Sequence, residues 1–90
     1  MFPIHYSKSY RKSYKRLIKS GNFDSSELNK VINILASNKK LPDIYKDHNL
    51  IGKLDGHREC HLESDLIFIY KIESERLVAE DIGSHSELFP

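Results

Sequence analysis

The run "LIFIYKI", Leu66 to Ile72, is apolar on nearly every position of both faces that a β-strand would present. Only a strand covered on both sides tolerates that pattern, so it reads as the centre of a sheet. On either side lies another strand-like run, "HRECHLE" before it and "RLVAEDI" after it, joined by short turns at Ser64 and Ser74. Three such runs make an antiparallel meander.

Upstream the period changes. "FPIHYS" fits a short first strand, with Pro3 near its start or at a sheet edge. From Ser7 to Ser20, Tyr10, Tyr14, Leu17 and Ile18 form an apolar stripe with Lys8, Arg11, Lys12, Lys15 and Lys19 largely off it, and Gly21 supplies the stop. A second helix starts at "DSSE", where Asp24 is placed to cap free amides and Glu27 to close a capping box. Leu28, Val31, Ile32 and Leu35 follow the helical rule until "SNKKLP" ends it, and an irregular stretch, "YKDHNLIGKLDG", leads into the meander. The expected fold is α+β: strand, helical hairpin, then a three-stranded antiparallel meander with the helices packed on one face.

Ninety residues fit one domain spanning 1–90, because so short a chain buries about two-thirds of its unfolded surface and cannot sustain two cores. A lone cysteine, Cys60, excludes an internal disulfide, and no apolar run is long enough for a secretory signal or membrane span. A soluble, cytoplasmic protein without membrane association is expected. The net charge of +1 hides an asymmetry: Met1–Ser20 carries six Lys or Arg and no acid, while Asn49–Pro90 carries four basic against nine acidic residues. A basic front suits RNA phosphates or an acidic protein, or is simply a solvated helix face.

Three histidines stand at places where elements end. His48 lies in the irregular stretch, His61 in a strand and His85 just past the last strand, at plausible edges of one cleft. Cutting RNA without a metal requires a base for the ribose 2′-hydroxyl, an acid for the leaving 5′-oxygen and positive charge near the phosphate. Histidine, with an ordinary pKa of about 6.5, suits both proton tasks. Strand alternation groups His61 with His57 and Glu59, and sets Arg58, Cys60 and Leu62 on the opposite face. Each residue also has a plain structural use: His48 and Asp65 as turn formers, His61 as a surface strand residue, His85 as a cap and Phe89 as an apolar plug.

The motifs YKDH, RECH, DL-x-x-IY and GSH-x-x-LF, in that order and spacing, resemble the YafQ branch of the RelE/ParE superfamily of bacterial type II toxins. The resemblance runs across Ile44–Phe89, and the helical half fits in length and order. It implies a metal-independent messenger-RNA endoribonuclease that acts on translating ribosomes, needs no cofactor and is held inactive by a cognate antitoxin. Operator DNA would be met only through that antitoxin. By the same resemblance His48, His61, Asp65 and His85 fall on catalytic positions, and Phe89 falls on a C-terminal aromatic that stacks on a base. The resemblance assigns no histidine as base or acid; the place of His85 just past the end of a strand, where it can point into an open cleft, is what suits it to protonate the leaving oxygen. Related sequences often carry an arginine just before "GSH", where this chain has Asp81 and Ile82. An aspartate facing the phosphate would repel it, so Lys46, Lys53, Arg58 or Lys71 would have to supply the charge. Arg11, Lys12 and Lys15, on a helix without local acids, are the expected antitoxin contacts.

Two other readings compete. Three histidines and Asp65 are a conceivable zinc or iron set, although no closely spaced ligand pair appears in the sequence. The acidic C-terminal half and the missing arginine also fit a weakly catalytic or non-catalytic module that binds an antitoxin.

Overall fold

The computed structural model describes residues 1–63 and 65–90; the turn expected at Ser64 lies outside them. The elements are β1 (Ile4–Tyr6), α1 (Lys8–Lys19), α2 (Ser26–Ala36), β2 (His48–Asn49), β3 (Arg58–Leu62), β4 (Leu66–Glu73), β5 (Arg76–Ser84) and α3 (His85–Leu88). They form a five-stranded sheet in the order β1-β5-β4-β3-β2, with β4 central. β1 runs parallel to β5, pairing Ile4 with Leu77 and Tyr6 with Ala79, and the other neighbours are antiparallel. Pro3, at the sheet edge, has no N–H to offer and accepts the Leu77 N–H through its carbonyl at 3.0 Å.

Local chemistry explains the boundaries. The Ser7 hydroxyl accepts the Tyr10 N–H and starts α1, and Gly21, at φ +81°, takes the left-handed conformation that follows its end. Tyr10 is buried and Tyr14 and Leu17 pack against the core as expected, but Ile18 is half exposed at the end of the stripe. At α2 the Asp24 carboxylate accepts the Ser26 N–H, yet the expected capping box does not close. Glu27 instead reaches across to accept the Glu63 N–H at 2.7 Å, tying α2 to the end of β3. The β4–β5 hairpin turns through Ser74 and Glu75, both with positive φ, as a two-residue turn between twisted strands requires.

One face of the sheet carries Cys60, Leu62, Phe68, Tyr70, Leu77, Ala79 and Ile82 against Tyr10, Leu28, Val31 and Leu35 of the helices. This is the main core. Ile67, Ile69 and Val78 are also buried but belong to the other face, outside that cluster. Part of that face is covered by α3, a helix not anticipated from the sequence. A Cβ on Gly83 would lie 3.4 Å from Leu88 Cδ2 and 3.2 Å from Glu87 Oε1, so glycine there permits α3 to fold closely over β5. β5 is bulged: Ile69 faces Asp81 while Tyr70 faces Ala79, leaving Glu80 as the extra residue. Among the described residues no helix is long and apolar enough to cross a membrane.

Candidate active site

The irregular stretch before β3 has its own construction. A 3₁₀ turn at Asp43–Tyr45 buries Tyr45, Lys46 takes a left-handed conformation at φ +51°, and the chain then enters the two-residue strand β2. β2 pairs with β3 so that His48 stands opposite Glu59. The His48 Nδ1–H donates to the Lys46 carbonyl at 2.7 Å. In the neutral ring that bond places the proton on Nδ1 and leaves the Nε2 lone pair free. His48 Nε2 lies 3.7 Å from Glu59 Oε2, and His61 Nε2 lies 3.1 Å from the same oxygen. The two imidazoles stack with centroids 5.8 Å apart. Glu59 is 6% exposed, a buried carboxylate shared by two partly exposed histidines.

His85 reaches the same region by another route. His61 pairs with Ile67 on β4 and Ile67 with Gly83 on β5, so these residues form one row across three strands. Two strand spacings separate its ends by roughly 10 Å. His85 follows two residues past Gly83, in the first turn of α3 and exposed. The Ser84 hydroxyl accepts the Glu87 N–H and the Glu87 carboxylate accepts the Ser84 N–H, a capping box that sets where α3 begins. The same bonds hold the Glu87 carboxyl below its ordinary range. Phe89 is half-buried with its ring 5.3 Å from that of His85. Asp65 is exposed at φ +60° between β3 and β4, next to Leu66, which pairs with Leu62 and Ser84. His48 and His61 thus meet, whereas His85 and Asp65 border the same end of the sheet without touching them among the described contacts.

The proposed cations divide. Lys46 and Lys53 are exposed, and Lys46 with Lys30, Ile44, Tyr45 and His61 lines an open cleft of about 520 Å³. Arg58 is engaged elsewhere. Its Nε and Nη2 each lie 3.2 Å from the Asp47 carboxylate, and Nη1 donates to Asn49 Oδ1 at 2.6 Å. Lys71 pairs with Glu73 at 3.3 Å. Asp81 does not face the histidines: its Oδ1 accepts the buried Ser13 hydroxyl of α1 at 2.7 Å and the Ile82 N–H at 2.8 Å. The expected repulsion of a phosphate by Asp81 therefore loses its geometric basis. On α1, which carries no acid of its own, Arg11, Lys12 and Lys15 are exposed, and the neighbouring Arg16 pairs with Glu87 of α3 at 3.4 Å.

Sequence reasoning missed Glu59 as part of the site. Alternation had set it on the face of His61, and what could not be read was the β2–β3 register that adds His48. Glu59, His48 and His61 each offer one ligand atom, all within 4.8 Å of one another, a set able to hold a transition metal. That trio replaces the three-histidine and Asp65 set considered from the sequence. Cys60 takes no part: burial pushes its thiol up to about 12.

Known proteins share this fold. Residues 2–90 match the family model described as "Bacterial toxin of type II toxin-antitoxin system, YafQ". The "mRNA interferase toxin YafQ" of Escherichia coli (strain K12) is 39% identical over 87 residues, covering 96% of this chain and 94% of that one. A metal-bound toxin from Helicobacter pylori superposes with a TM-score of 0.90 at 44% identity, over 99% of this chain and all of the other. The toxin in the DinJ-YafQ toxin-antitoxin complex of E. coli gives 0.87 at 37% identity, over 99% and 98%. A match of this extent in both sequence and fold places the chain in the YafQ family of bacterial type II toxin-antitoxin toxins.

Proposed function

We propose that this single-domain chain is the toxin of a type II toxin-antitoxin pair and cleaves messenger RNA on the ribosome, in the cytoplasm, by histidine acid-base chemistry. The observation that carries the reading is the His48–Glu59–His61 cluster, open to solvent at one end of the sheet, in a chain whose relatives are described as mRNA interferases. His48, with Nδ1–H held by the Lys46 carbonyl, presents a free Nε2 to take the proton of a ribose 2′-hydroxyl. The resulting oxygen attacks the adjacent phosphorus, and the bond to the 5′-oxygen breaks. His85 protonates that leaving oxygen. His61, whose Nε2 lies 3.1 Å from Glu59 Oε2, supplies positive charge beside the phosphate together with Lys46 and Lys53, and Asp65 orients the substrate at the rim. Phe89 stacks on a base beside His85. No cofactor enters these steps.

The antitoxin partner follows from α1. Arg11, Lys12 and Lys15 are exposed beside a groove of about 310 Å³ lined by Tyr6, Tyr10, Tyr14 and Ile32, which suits an acidic, amphipathic segment that folds on binding. Reversing those three charges weakens the complex and its salt dependence. The deciding experiment is induction without antitoxin. Wild-type protein arrests growth and cuts mRNA, and His85→Ala loses about 10²- to 10⁴-fold in rate while keeping its melting temperature. Full toxicity of His85→Ala removes His85 from the chemistry; no arrest by the wild type, with His85→Ala behaving the same, sinks the nuclease reading and leaves a binding module.

A second reading is favoured by the ligand geometry and by the relative described as metal-bound. A transition metal on His48, Glu59 and His61 would occupy the lone pair that the reaction needs, and so would act as an inhibitor. Cleavage that falls on adding a transition metal and recovers with a chelator selective for such metals over magnesium agrees with this; cleavage that requires added transition metal, or is indifferent to it, contradicts it.

A further inference from the structure

His48 is poised by very little structure of its own. β2 has only two residues, both exposed, and it lies at the edge of the sheet. Its ring bond to the Lys46 carbonyl is equally local, because Lys46 sits in a left-handed turn. An edge segment of this kind frays unless something behind it holds it. The residues on either side of His48 show what does. Asp47 Oδ1 accepts the Tyr70 hydroxyl at 2.6 Å, and both Asp47 oxygens receive the Arg58 guanidinium in a two-pronged pair. Arg58 then donates to Asn49 at 2.6 Å. Asp47 and Asn49 thus turn toward β3 and β4 on the core side while His48, between them, turns to Glu59 on the other side. The anchor is rigid: Tyr70 is 1% exposed, stacks on Phe68 in the main core and stands opposite Arg58 in register.

We infer that Tyr70, Asp47, Arg58 and Asn49 form a clamp through the sheet that positions His48, so that these four are positioning residues for the cleavage reaction although none of them faces the substrate. The inference rests on the nuclease reading for its catalytic consequence and on geometry alone for its structural part. It also gives Arg58 a use distinct from phosphate binding. Burial keeps the Tyr70 phenol above its ordinary range, so it remains a donor throughout the physiological span. A shift of about 1 Å in a reacting group costs on the order of 10²-fold in rate. Loosening one bond of the clamp should therefore slow cleavage without weakening RNA binding.

The test uses Tyr70→Phe, which removes one hydroxyl and keeps the ring, and Asn49→Ala at the exposed end. Both are followed by imidazole nitrogen NMR and by cleavage kinetics on full-length protein below its melting temperature. In the wild type, His48 shows one neutral tautomer, protonated at Nδ1. In each variant the tautomers mix, kcat falls about 10- to 100-fold, and KM for RNA stays within about twofold. An unchanged His48 spectrum overturns the clamp, as does an altered spectrum with wild-type kcat. If the wild type itself cuts no RNA, the nuclease reading falls, and the mixed or single tautomer in the variants still decides whether the clamp exists.

Discussion

Replacing Glu59 with methionine should make the protein more stable and nearly inactive. The carboxylate is 6% exposed and stands opposite Ile69 in register, with the imidazoles of His48 and His61 within 4 Å of it among the described residues. Those imidazoles are 52% and 40% exposed in their side chains, so water and salt screen the pairs to about 0–1 kcal/mol each. Withdrawing the carboxylate from water costs several kcal/mol, and exchanging such buried charges for apolar groups of similar volume is commonly neutral or stabilising by about 1–4 kcal/mol. Because the histidines offset part of that cost, the lower end applies, a gain of about 1 kcal/mol. For a domain of this size that is a rise of about 4–8 °C in Tm. Cleavage should fall at least 10²-fold, since His61 loses its carboxylate partner and His48 the group that faces its Nε2. Thermal unfolding at neutral pH, paired with cleavage assays, measures both quantities. A Tm lowered by several degrees, or normal cleavage, would refute the view that this carboxylate is held against stability for the sake of the site.

Alkali should unfold the protein for a definable reason. Burial first, and neighbouring groups second, raise the Tyr10 and Tyr70 phenols above their ordinary 10. Groups whose folded pKa exceeds the unfolded value contribute stability that is complete below about pH 10 and is lost as pH rises further, so the urea midpoint should be flat to that point and then drop. Native Cys60 should resist alkylation at pH 8 and react only after unfolding, given a thiol pushed up to about 12; rapid labelling of folded protein would contradict its burial. Gly83→Ala places a Cβ 3.2 Å from Glu87 Oε1 and 3.4 Å from Leu88, so the Glu87 carboxylate that closes the α3 capping box must give by tenths of an ångström. Cleavage should drop several-fold through His85 while Tm changes by no more than about 4 °C.

Periodicity made the large elements legible. The Leu28, Val31, Ile32 and Leu35 spacing marked α2, and the two-faced apolar run marked β4, because each is long enough for burial to leave a repeating imprint. β2 has two residues and α3 has four, too few to carry any period. The Ser84-x-x-Glu87 pattern was present, but a four-residue helix after a strand does not announce itself. Glu27 shows the opposite failure. Its position fitted a capping box, and a more distant donor, the Glu63 N–H, took its carboxylate. At the site, the histidines were readable through the family motifs, and alternation alone set His61 and Glu59 on one face. That His48 meets them depends on the β2–β3 register, and that Arg58 faces away with Asp47 depends on the same pairing. Long-range register is set by packing partners far apart in the chain, which no local pattern records.

The most direct measurement is the chemistry of the cut ends. Purified protein, incubated with mRNA on translating ribosomes, should leave a 2′,3′-cyclic or 3′-phosphate on one fragment and a 5′-hydroxyl on the other. Those ends arise only from attack by the 2′-hydroxyl with protonation of the 5′-oxygen. A 3′-hydroxyl beside a 5′-phosphate would contradict histidine acid-base catalysis in this protein.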